Sequence, residues 1–496
     1  MSARDQRKTP NLDTVTTINA DGSHLVLHPA DVKGRFTLAR RIFGFVLIGV
    51  YVLLPWIPIN GHPAIFFDVL HGRFHVFGFT LITQDLWVLF FGISGMGFTL
   101  FYLTSLLGRL WCGWACPYTV FLEHVFRRVE RWIDGDGAKR RQLDKAPMTA
   151  GKFVRRVIKH GIYICLAALI AHVFLSYFVS LERLYTYMHM SPLENSKAFG
   201  VVAFLTAVLY FCFGWFREQF CIVLCPYGRI QSALTDDDTM VIGYDEGRGE
   251  PRGKKRVKDG ASGGDCIDCL RCVQVCPTGI DIRNGLQMEC IGCAACVDAC
   301  DTVMTKINRP TGLVRYDSLN GLEGRKRRII RPRVIGYTMM FVIGVFVMSF
   351  GLSSLKPARI EAIRMGGTQF YETEDVIRNQ FTIAVTNKRN EAMTYLLTVD
   401  ELPEGASLVG GDHEFSVEGL GRSEFTIVVT QEKASYDGRF DFDLALVNPE
   451  ADLKLTKSLT FMGPDTTGMS DEEFERQREE FEKSRGDNGS NEGGVL

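Results

Sequence analysis

Two short stretches repeat one cysteine pattern: CGWACPY at 112–118 and CIVLCPY at 221–227. Each is Cys, three residues, then Cys-Pro-Tyr. Soft thiolates of this kind select Cu(I), zinc or iron–sulfur centres. One such pair alone also reads as two small buried hydrophobes. Two copies, each closing a long apolar run, favour a shared redox or metal role for Cys112, Cys116, Cys221 and Cys225, with both pairs converging on one thiolate site. Placed on a helix, their i, i+4 spacing sets the thiols of a pair on one face. Arg109 and Arg217 precede the pairs. Arginines can lower thiolate pKa values, but at the end of an apolar run they read more simply as interface anchors.

A second set of cysteines is more specific. Residues 266–277 read CIDCLRCVQVCP and residues 290–300 read CIGCAACVDAC, which is the bacterial ferredoxin run C-x2-C-x2-C-x3-C twice over. Three close thiolates wrap one corner of an iron–sulfur cube, and the fourth reaches the other cube. This assigns Cys266, Cys269, Cys272 and Cys300 to one 4Fe–4S cluster. Cys276, Cys290, Cys293 and Cys296 then hold the second. The small residues Gly279, Gly292, Ala294 and Ala295 let backbone amides approach the sulfides. Zinc in Cys-x2-Cys pairs would not explain two complete ligand sets. Asp301 stands where the repeat would have a proline, which leaves the turn after Cys300 open.

The elements that must position these cysteines are membrane helices. Five apolar runs, at about 38–57, 86–107, 162–181, 199–216 and 334–355, approach or reach the length of about 20 residues that crosses a bilayer. Gly92, Gly95 and Gly97 in the second suit close helix packing. Basic residues cluster at Lys33–Arg41, between Arg127 and Arg156, and in RKRRIIRPR at 325–333, while 58–85 and 182–197 are nearly free of them. By the positive-inside rule, segments 1–37, 108–160 and 217–333 are cytoplasmic, and 58–85, 182–197 and everything after the fifth span lie outside. Spans one–two (38–107) and three–four (161–216) then form two hairpins, each ending in a cysteine motif at the cytoplasmic edge. After Pro117, YTVFLEHVFRRVERWI sets Phe121, Val125, Val129 and Trp132 at helical spacing, which predicts a helix lying on the membrane surface, with proline in its first turn.

Segment 217–260 carries the second pair and a Gly- and Lys/Arg-rich lead-in, 261–310 the ferredoxin domain, 311–333 a basic linker and 334–355 the fifth span. From about 370 the pattern changes to period two, in QFTIAVTNK, SEFTIVVTQ and FDFDLALVN among others. It predicts a seven-stranded, immunoglobulin-like sandwich over 356–463. The acidic stretch 464–496 reads as a disordered tail. The fold class is thus a helical transmembrane bundle of about five spans, a bacterial-type ferredoxin domain with two 4Fe–4S clusters, and a C-terminal immunoglobulin-like β-sandwich.

Composition agrees with this organisation. The 496 residues carry a formal net charge of −1 and are 46% hydrophobic, so no overall field favours nucleic acid. The 14 cysteines stop at Cys300, a distribution that suits reduced thiols and metal ligation rather than a disulfide scaffold. The opening MSARDQRKTPNLD has no apolar core of a secretory signal. Cys165 and Cys212, alone within spans, read as core residues. Met188, His189 and Met190 in the second outer loop, and His62, His71 and His75 in the first, are copper-compatible types that read as loop residues.

The order of these parts resembles the FixG/CcoG (RdxA) family of cytochrome c oxidase accessory proteins over nearly the whole chain. It rests on paired Cys-Pro-Tyr motifs after spans two and four, a double ferredoxin run, one later span and an immunoglobulin-like domain. The resemblance implies a bacterial inner-membrane oxidoreductase that reduces Cu(II) to Cu(I) for the copper centre of cbb3-type oxidase. It implies copper as substrate or transient ligand of Cys112, Cys116, Cys221 and Cys225. The implied partners are oxidase subunits, copper delivery proteins, membrane lipid and a cytoplasmic or quinol electron donor. A quinol-oxidising subunit like NapH or NosR, which share the hairpin layout, is the alternative. A third reading is a scaffold whose clusters sense redox state.

Overall fold

A computed structural model describes residues 26–253, 263–400, 402–410, 414–448 and 453–464. The start of the N-terminal segment, part of the lead-in expected to be flexible, and nearly all of the tail expected to be disordered lie outside the described residues. The chain divides into two compact units, one running to Ser353 apart from residues 80–82, the other from Ser354 onward.

Five long helices dominate the first unit: α1 Arg35–Leu53, α2 Leu86–Leu107, α3 Ala150–Leu175, α4 Ser196–Tyr210 and α5 Pro332–Ser353. With their flanking turns all five are long and apolar enough to cross a membrane. Their outer faces expose Ile42, Phe90, Ile93, Leu169, Phe204 and Phe346, an inverted pattern that suits a lipid solvent. Helix α3 begins well before the apolar run at 162, because Thr149 caps the Lys152 amide and the basic turn that follows stays helical.

The packing differs from two sequential hairpins. Helices α3 and α4 do pack together, but α2 runs along α5 rather than α1. Tyr102 stacks on Phe341 at 5.2 Å, and a side chain added at Gly92 would meet Met348. Gly95 and Gly97 face open space, so the close packing expected there is confined to Gly92. Helix α1 is instead occupied by the segment that follows the first cysteine motif. Tyr51 meets Phe121 edge-on at 5.4 Å.

That segment is not the surface helix its periodicity predicts. It forms a helix at Pro117–Phe121, a π turn at Leu122–Phe126 and a helix at Arg127–Asp134. Phe121, Phe126 and Val129 are buried, but so are Glu123, Arg127 and Glu130, while Trp132 is 80% exposed. The polar face turns inward because charged partners from α1 and from the end of α4 meet it there.

The second unit is a β-sandwich. Its strands are β1 Ala358–Arg364, β2 Tyr371–Glu372, β3 Val376–Asn387, β4 Met393–Asp400, β5 Ala406–Val409, β6 Glu414–Val417, β7 Arg422–Glu432, β8 Phe440–Asn448 and β9 Leu453–Phe461. One sheet has the order β5-β7-β3-β1, with β2 also on β3, and the other β6-β4-β8-β9. Nine strands among the described residues replace the seven expected, since β1 precedes the alternating pattern and β2 is too short to show one. Ile383, Val385, Leu397, Ile427, Leu444 and Phe461 fill the interior. Asn387 Nδ2 satisfies the carbonyl oxygens of Glu391 and Val417 at 2.7 and 3.2 Å, so a buried amide closes the loops at one edge.

Candidate iron–sulfur and thiol site

The two ferredoxin runs fold as two copies of one loop. In the first, Asp268 and Leu270 hold positive φ angles of 51° and 58°; in the second, Gly292 and Ala294 hold 66° and 58° at the matching positions. Left-handed residues before and after the second cysteine turn the loop around its thiols. Each loop then enters a helix, Arg271–Gln274 or Ala295–Lys306, directly after its left-handed residue. Asp268 and Leu270 hold this strained conformation without glycine.

The thiols group across the two runs. Cys300 has Cys269 and Cys266 as electrostatic neighbours, and Cys272 has Cys300 and Cys269. Cys290 has Cys276 and Cys293, and Cys296 has Cys293, Cys290 and Cys276 first, with Cys272 of the other set last. Cys276, Cys290, Cys293 and Cys296, with Cys272 of the other set, line a largely apolar cavity of about 330 Å³. Burial pushes the thiols of Cys272, Cys290 and Cys300 up to about 12, a cost that a bound metal offsets by deprotonating its ligands outright. Backbone amides of Thr278 and Ile280 point at Cys276, and that of Gly292 at Cys290. Among the described residues no three His, Cys, Asp or Glu side chains crowd closely enough to hold one metal ion. A four-iron cube needs its ligands spread, so cavity, spacing and amides fit 4Fe–4S clusters. The missing proline is explained as well. The helix runs on through Asp301 to Lys306, and the Asp301 carboxylate accepts the Gly312 amide at 2.8 Å.

This domain is fastened to the membrane helices at defined points. Asp298, buried in the ferredoxin helix, accepts the amides of Phe36 and Thr37 at 3.2 and 2.7 Å, so it caps the start of α1. Gly113 lies against the second cluster loop. A Cβ there would sit 2.5 Å from the Ile291 carbonyl oxygen and 2.9 Å from the Cys293 backbone. Cys112 packs against the apolar cluster that includes Ile291, Cys293 and Ala295. Trp114 Nε1 donates to the Tyr316 hydroxyl at 3.2 Å, and that hydroxyl donates to the Gly292 carbonyl at 2.6 Å. The Arg109 guanidinium donates to the carbonyls of Met288 and Gly228, joining the cluster loop to the second motif.

The two membrane-edge motifs share one backbone path. A residue of positive φ, Gly108 or Arg217, opens each. The amide of Cys116 then bonds to the Trp111 carbonyl at 2.9 Å and that of Cys225 to the Phe220 carbonyl at 2.8 Å, both i to i−5. The second cysteine of each pair leaves the helix, with ψ of 121° and 111°, and its proline starts a new one. The pairs therefore do not lie on one regular helical face, as i, i+4 spacing suggests; each wraps a wide turn followed by a break.

The motifs interlock reciprocally. The Tyr118 hydroxyl lies 2.8 and 2.5 Å from the carbonyl oxygens of Cys212 and Arg217, in the second repeat. The Tyr227 hydroxyl lies 2.5 Å from that of Thr104, in α2. Gln231 Nε2 donates to the Cys112 sulfur at 3.3 Å, and the Thr119 hydroxyl bonds Cys221. Cys112 and Cys221 each stand within electrostatic range of the other motif's cysteines, although no three of the four crowd closely enough to hold one metal ion as they stand. Burial pushes Cys112 up to about 11 against the Gln231 hydrogen bond, and Cys221 up to about 12 with the neighbouring thiols adding to it. Both are thiols at neutral pH, so a metal bound there displaces protons.

Known proteins match the chain in the same places. The model of a "4Fe-4S dicluster domain" matches residues 216–319, that of a "4Fe-4S binding domain" matches 88–135, and that of an "IG-like fold at C-terminal of FixG" matches 348–464. The nitrogen fixation protein FixG of Rhizobium meliloti is 33% identical over 434 residues, covering 78% of this chain and 81% of that protein. This chain belongs to the FixG family. RdxA of Cereibacter sphaeroides is 34% identical over 394 residues, covering 75% and 82% of the two chains. RdxB of the same organism is 34% identical over 392 residues, covering 75% and 81%. A crystal structure of a FixG-related protein from Vibrio parahaemolyticus, 18% identical with a TM-score of 0.21, corresponds to 22% of this chain and to all of its own. The FixG-family chain is thus a membrane protein with iron–sulfur domains and an immunoglobulin-like C-terminal domain.

Beneath the interlocked motifs this FixG-family protein buries a charged network. Arg127 pairs with Glu123 and, at 2.9 Å, with Glu218, and donates to the Pro277 carbonyl at 3.2 Å. Glu130 accepts Arg217 at 2.6 Å, Arg140 at 2.9 Å and the Tyr163 hydroxyl at 2.8 Å. Arg217 is therefore no interface anchor, and Arg109 is a tether. Burial alone would raise the Glu123 carboxyl, but Arg127 and Arg40 hold it down to about 2. The other oxygen of Glu218 has no hydrogen-bond partner, so Arg127 is its main compensation. Arg127→Met is expected to leave the Glu218 carboxylate uncompensated and Glu123 with Arg40 alone, and to cost about 3–5 kcal/mol, read as a lower thermal midpoint of the solubilised protein against Arg155→Met on an exposed face of α3.

Arg127, Asp298 and Gly113 are the residues the sequence reading missed. The signal the sequence holds for the network is the i, i+4 spacing of Glu123 and Arg127. The remaining candidates do not assemble into a site. His189 Nδ1 is held by the Tyr185 carbonyl at 2.9 Å, and Met188 and Met190 are exposed. His62 and His75 stack at 4.0 Å, and His71 pairs with Asp68 at 2.6 Å. Cys165 is exposed on α3 rather than in a core, and Cys212 is half-buried.

Proposed function

We propose that this protein carries electrons from two 4Fe–4S clusters to Cu(II) held at Cys112, Cys116, Cys221 and Cys225, supplying Cu(I) for the copper centre of a cbb3-type oxidase. The observation that carries the reading is the backbone contact of Gly113 with the loop of Cys293, beside Cys112. Cys266, Cys269, Cys272 and Cys300 hold one cluster, and Cys276, Cys290, Cys293 and Cys296 the other. When bound, the clusters supply single electrons. The four edge thiols do the rest: they select a soft ion, favour Cu(I) over Cu(II) and release protons as they bind it. The second cluster loop is the one that meets Gly113 and the apolar cluster on which Cys112 packs, so it is the exit. The ferredoxin domain and both motifs face the cytoplasm of a bacterial inner membrane and the sandwich faces the periplasm, as the basic residues around 127–156 and 325–333 indicate.

The test is stoichiometric. Protein reduced and freed of excess reductant is mixed anaerobically with Cu(II) and a Cu(I) chelator. One Cu(I) per reduced cluster is expected, with the clusters reoxidised in step. Reoxidation without Cu(I) would sink the reading, and cluster reduction by a quinol analogue would identify the donor.

A second reading has its own support. The "4Fe-4S binding domain" match at 88–135 contains only two cysteines, Cys112 and Cys116. Together with Cys221 and Cys225 they would be a ligand set for a third cluster that relays electrons onward. Iron and sulfide content matching three clusters, falling to two when these four are replaced, would favour it.

A further inference from the structure

Where α1 leaves the ferredoxin domain, a pocket of about 470 Å³ opens between α1, the buried segment after Pro117 and the first cluster run. Four arginines line it: Arg40, Arg41, Arg128 and Arg131. Two have partners: Arg40 faces Glu123 at 3.5 Å and Arg131 faces Asp31 at 2.9 Å. Arg41 and Arg128 have no ion-pair partner among the described residues, and Arg41 Nε, though buried, makes no hydrogen bond. His124 also lines the pocket. It is only 7% exposed, and its Nδ1 has no hydrogen-bond partner. Its ring lies so close to α1 that a Cβ at Gly44 would come within 2.5 Å of it.

Two guanidinium groups without ion-pair partners and the buried His124 thus line one cavity, beside the already paired carboxylates of Asp31 and Glu123. Buried donors left unpaired are costly, so the pocket has the chemistry of a site for a multi-oxygen anion. Guanidinium forks match phosphate oxygens with paired hydrogen bonds. The imidazole adds one more donor in its Nδ1–H tautomer. Burial and the nearby Arg131 and Arg41 hold the Arg128 pKa below its ordinary value against the opposing pull of Asp31 and Glu123.

The position identifies the source of the anion. On α1, beside Arg40 and Arg41, Leu38, Ile42 and Phe43 are 57%, 58% and 42% exposed. The pocket therefore lies where the lipid-facing surface begins, at headgroup depth. We propose that it binds the phosphoryl group of an anionic phospholipid, as basic pockets between transmembrane helices do. Val275 and Ala295 of the ferredoxin domain share its wall, so the bound lipid ties that domain to the bilayer. A quinol suits the pocket poorly. An uncharged ring would leave both cations unmatched, and Glu123, held down to about 2 by Arg127 and Arg40 despite its burial, is no proton acceptor.

Native mass spectrometry of the full chain released from nanodiscs tests this. Discs of mixed phosphatidylglycerol and phosphatidylcholine should yield protein that retains phosphatidylglycerol selectively. Arg41→Gln/Arg128→Gln should weaken that retention about thirty-fold, at about 1 kcal/mol per charge, while Arg41→Lys/Arg128→Lys keeps most of it. Cluster absorbance reports that each variant is folded. If the double Gln variant loses its clusters, Arg128→Gln alone is read instead, with about a five-fold loss. Undiminished retention in the folded Gln variants overturns the proposal. So does displacement of the lipid by equimolar inorganic phosphate, which would assign the site to a soluble anion. Co-purification of a quinone that the same variants release would overturn it too.

Discussion

Replacing Cys112, Cys116, Cys221 and Cys225 together by serine is expected to abolish Cu(I) formation while both clusters remain. Serine is close in size to cysteine, and the hydrogen-bonding groups beside Cys112 and Cys221, Gln231 and Thr119, suit a hydroxyl as well as a thiol. The interlocking tyrosines, the i to i−5 turns and both prolines are untouched. What disappears is soft-ligand affinity. Loss of groups that merely orient a metal ligand costs about 10–100-fold, so loss of the ligands should exceed about a hundredfold. Cluster EPR signals, and reoxidation by an unrelated small acceptor, should match the parent protein. That comparison separates electron storage from delivery. A quadruple variant that still reduces Cu(II) at the parent rate would show that the ion is reduced elsewhere. A variant that also loses iron would favour the third-cluster reading.

The parts legible in the sequence were those whose chemistry is local. The ferredoxin runs crowd eight cysteines into 266–300 with few alternatives for their geometry. The apolar runs needed no partner to be recognised, and the alternating strands carried their own period. The rest depends on contacts remote in sequence. Glu123 and Arg127 read as a solvated face because their partners, Arg40 and Glu218, lie on other elements. Helix α2 could not be assigned to α5 rather than α1 from hydropathy, since beyond the arginines near the start of α1 and α5 all three are apolar. The cysteine spacing suggested a helical face, whereas the chain takes an i to i−5 turn and then breaks at proline. Periodicity sees regular helices, and both motifs depart from them where the thiols sit. A wide turn of this kind is frequent at functional sites, and here it aims each pair toward the other repeat.

The strongest test of how the ferredoxin domain is joined to the proposed copper site is Gly113→Val. Gly113 stands between Cys112 and Trp114, and only a residue without a side chain lets the turn lie on the Ile291–Cys293 backbone. A Cβ would fall inside contact distance of a carbonyl oxygen and of the Cys293 backbone, and neither can rotate away. Gly292 repeats the arrangement from the other side, where a Cβ would meet the Arg109 carbonyl at 3.1 Å. The surfaces must therefore separate. Overpacking of this kind costs about 1–3 kcal/mol, which the remaining ties at Asp298, Arg109 and Tyr316 can absorb without unfolding either side. The variant should keep its clusters and its Cu(I) affinity, yet transfer electrons to copper slowly. A displacement of about 1 Å can cost on the order of a hundredfold in rate, and stopped-flow reoxidation by Cu(II) reads it directly. Gly97→Ala, where nothing stands within 4 Å, is the matched control and should behave as the parent. Unchanged transfer in Gly113→Val would place the electron exit away from the second cluster loop, whereas slow transfer with normal affinity fixes it there.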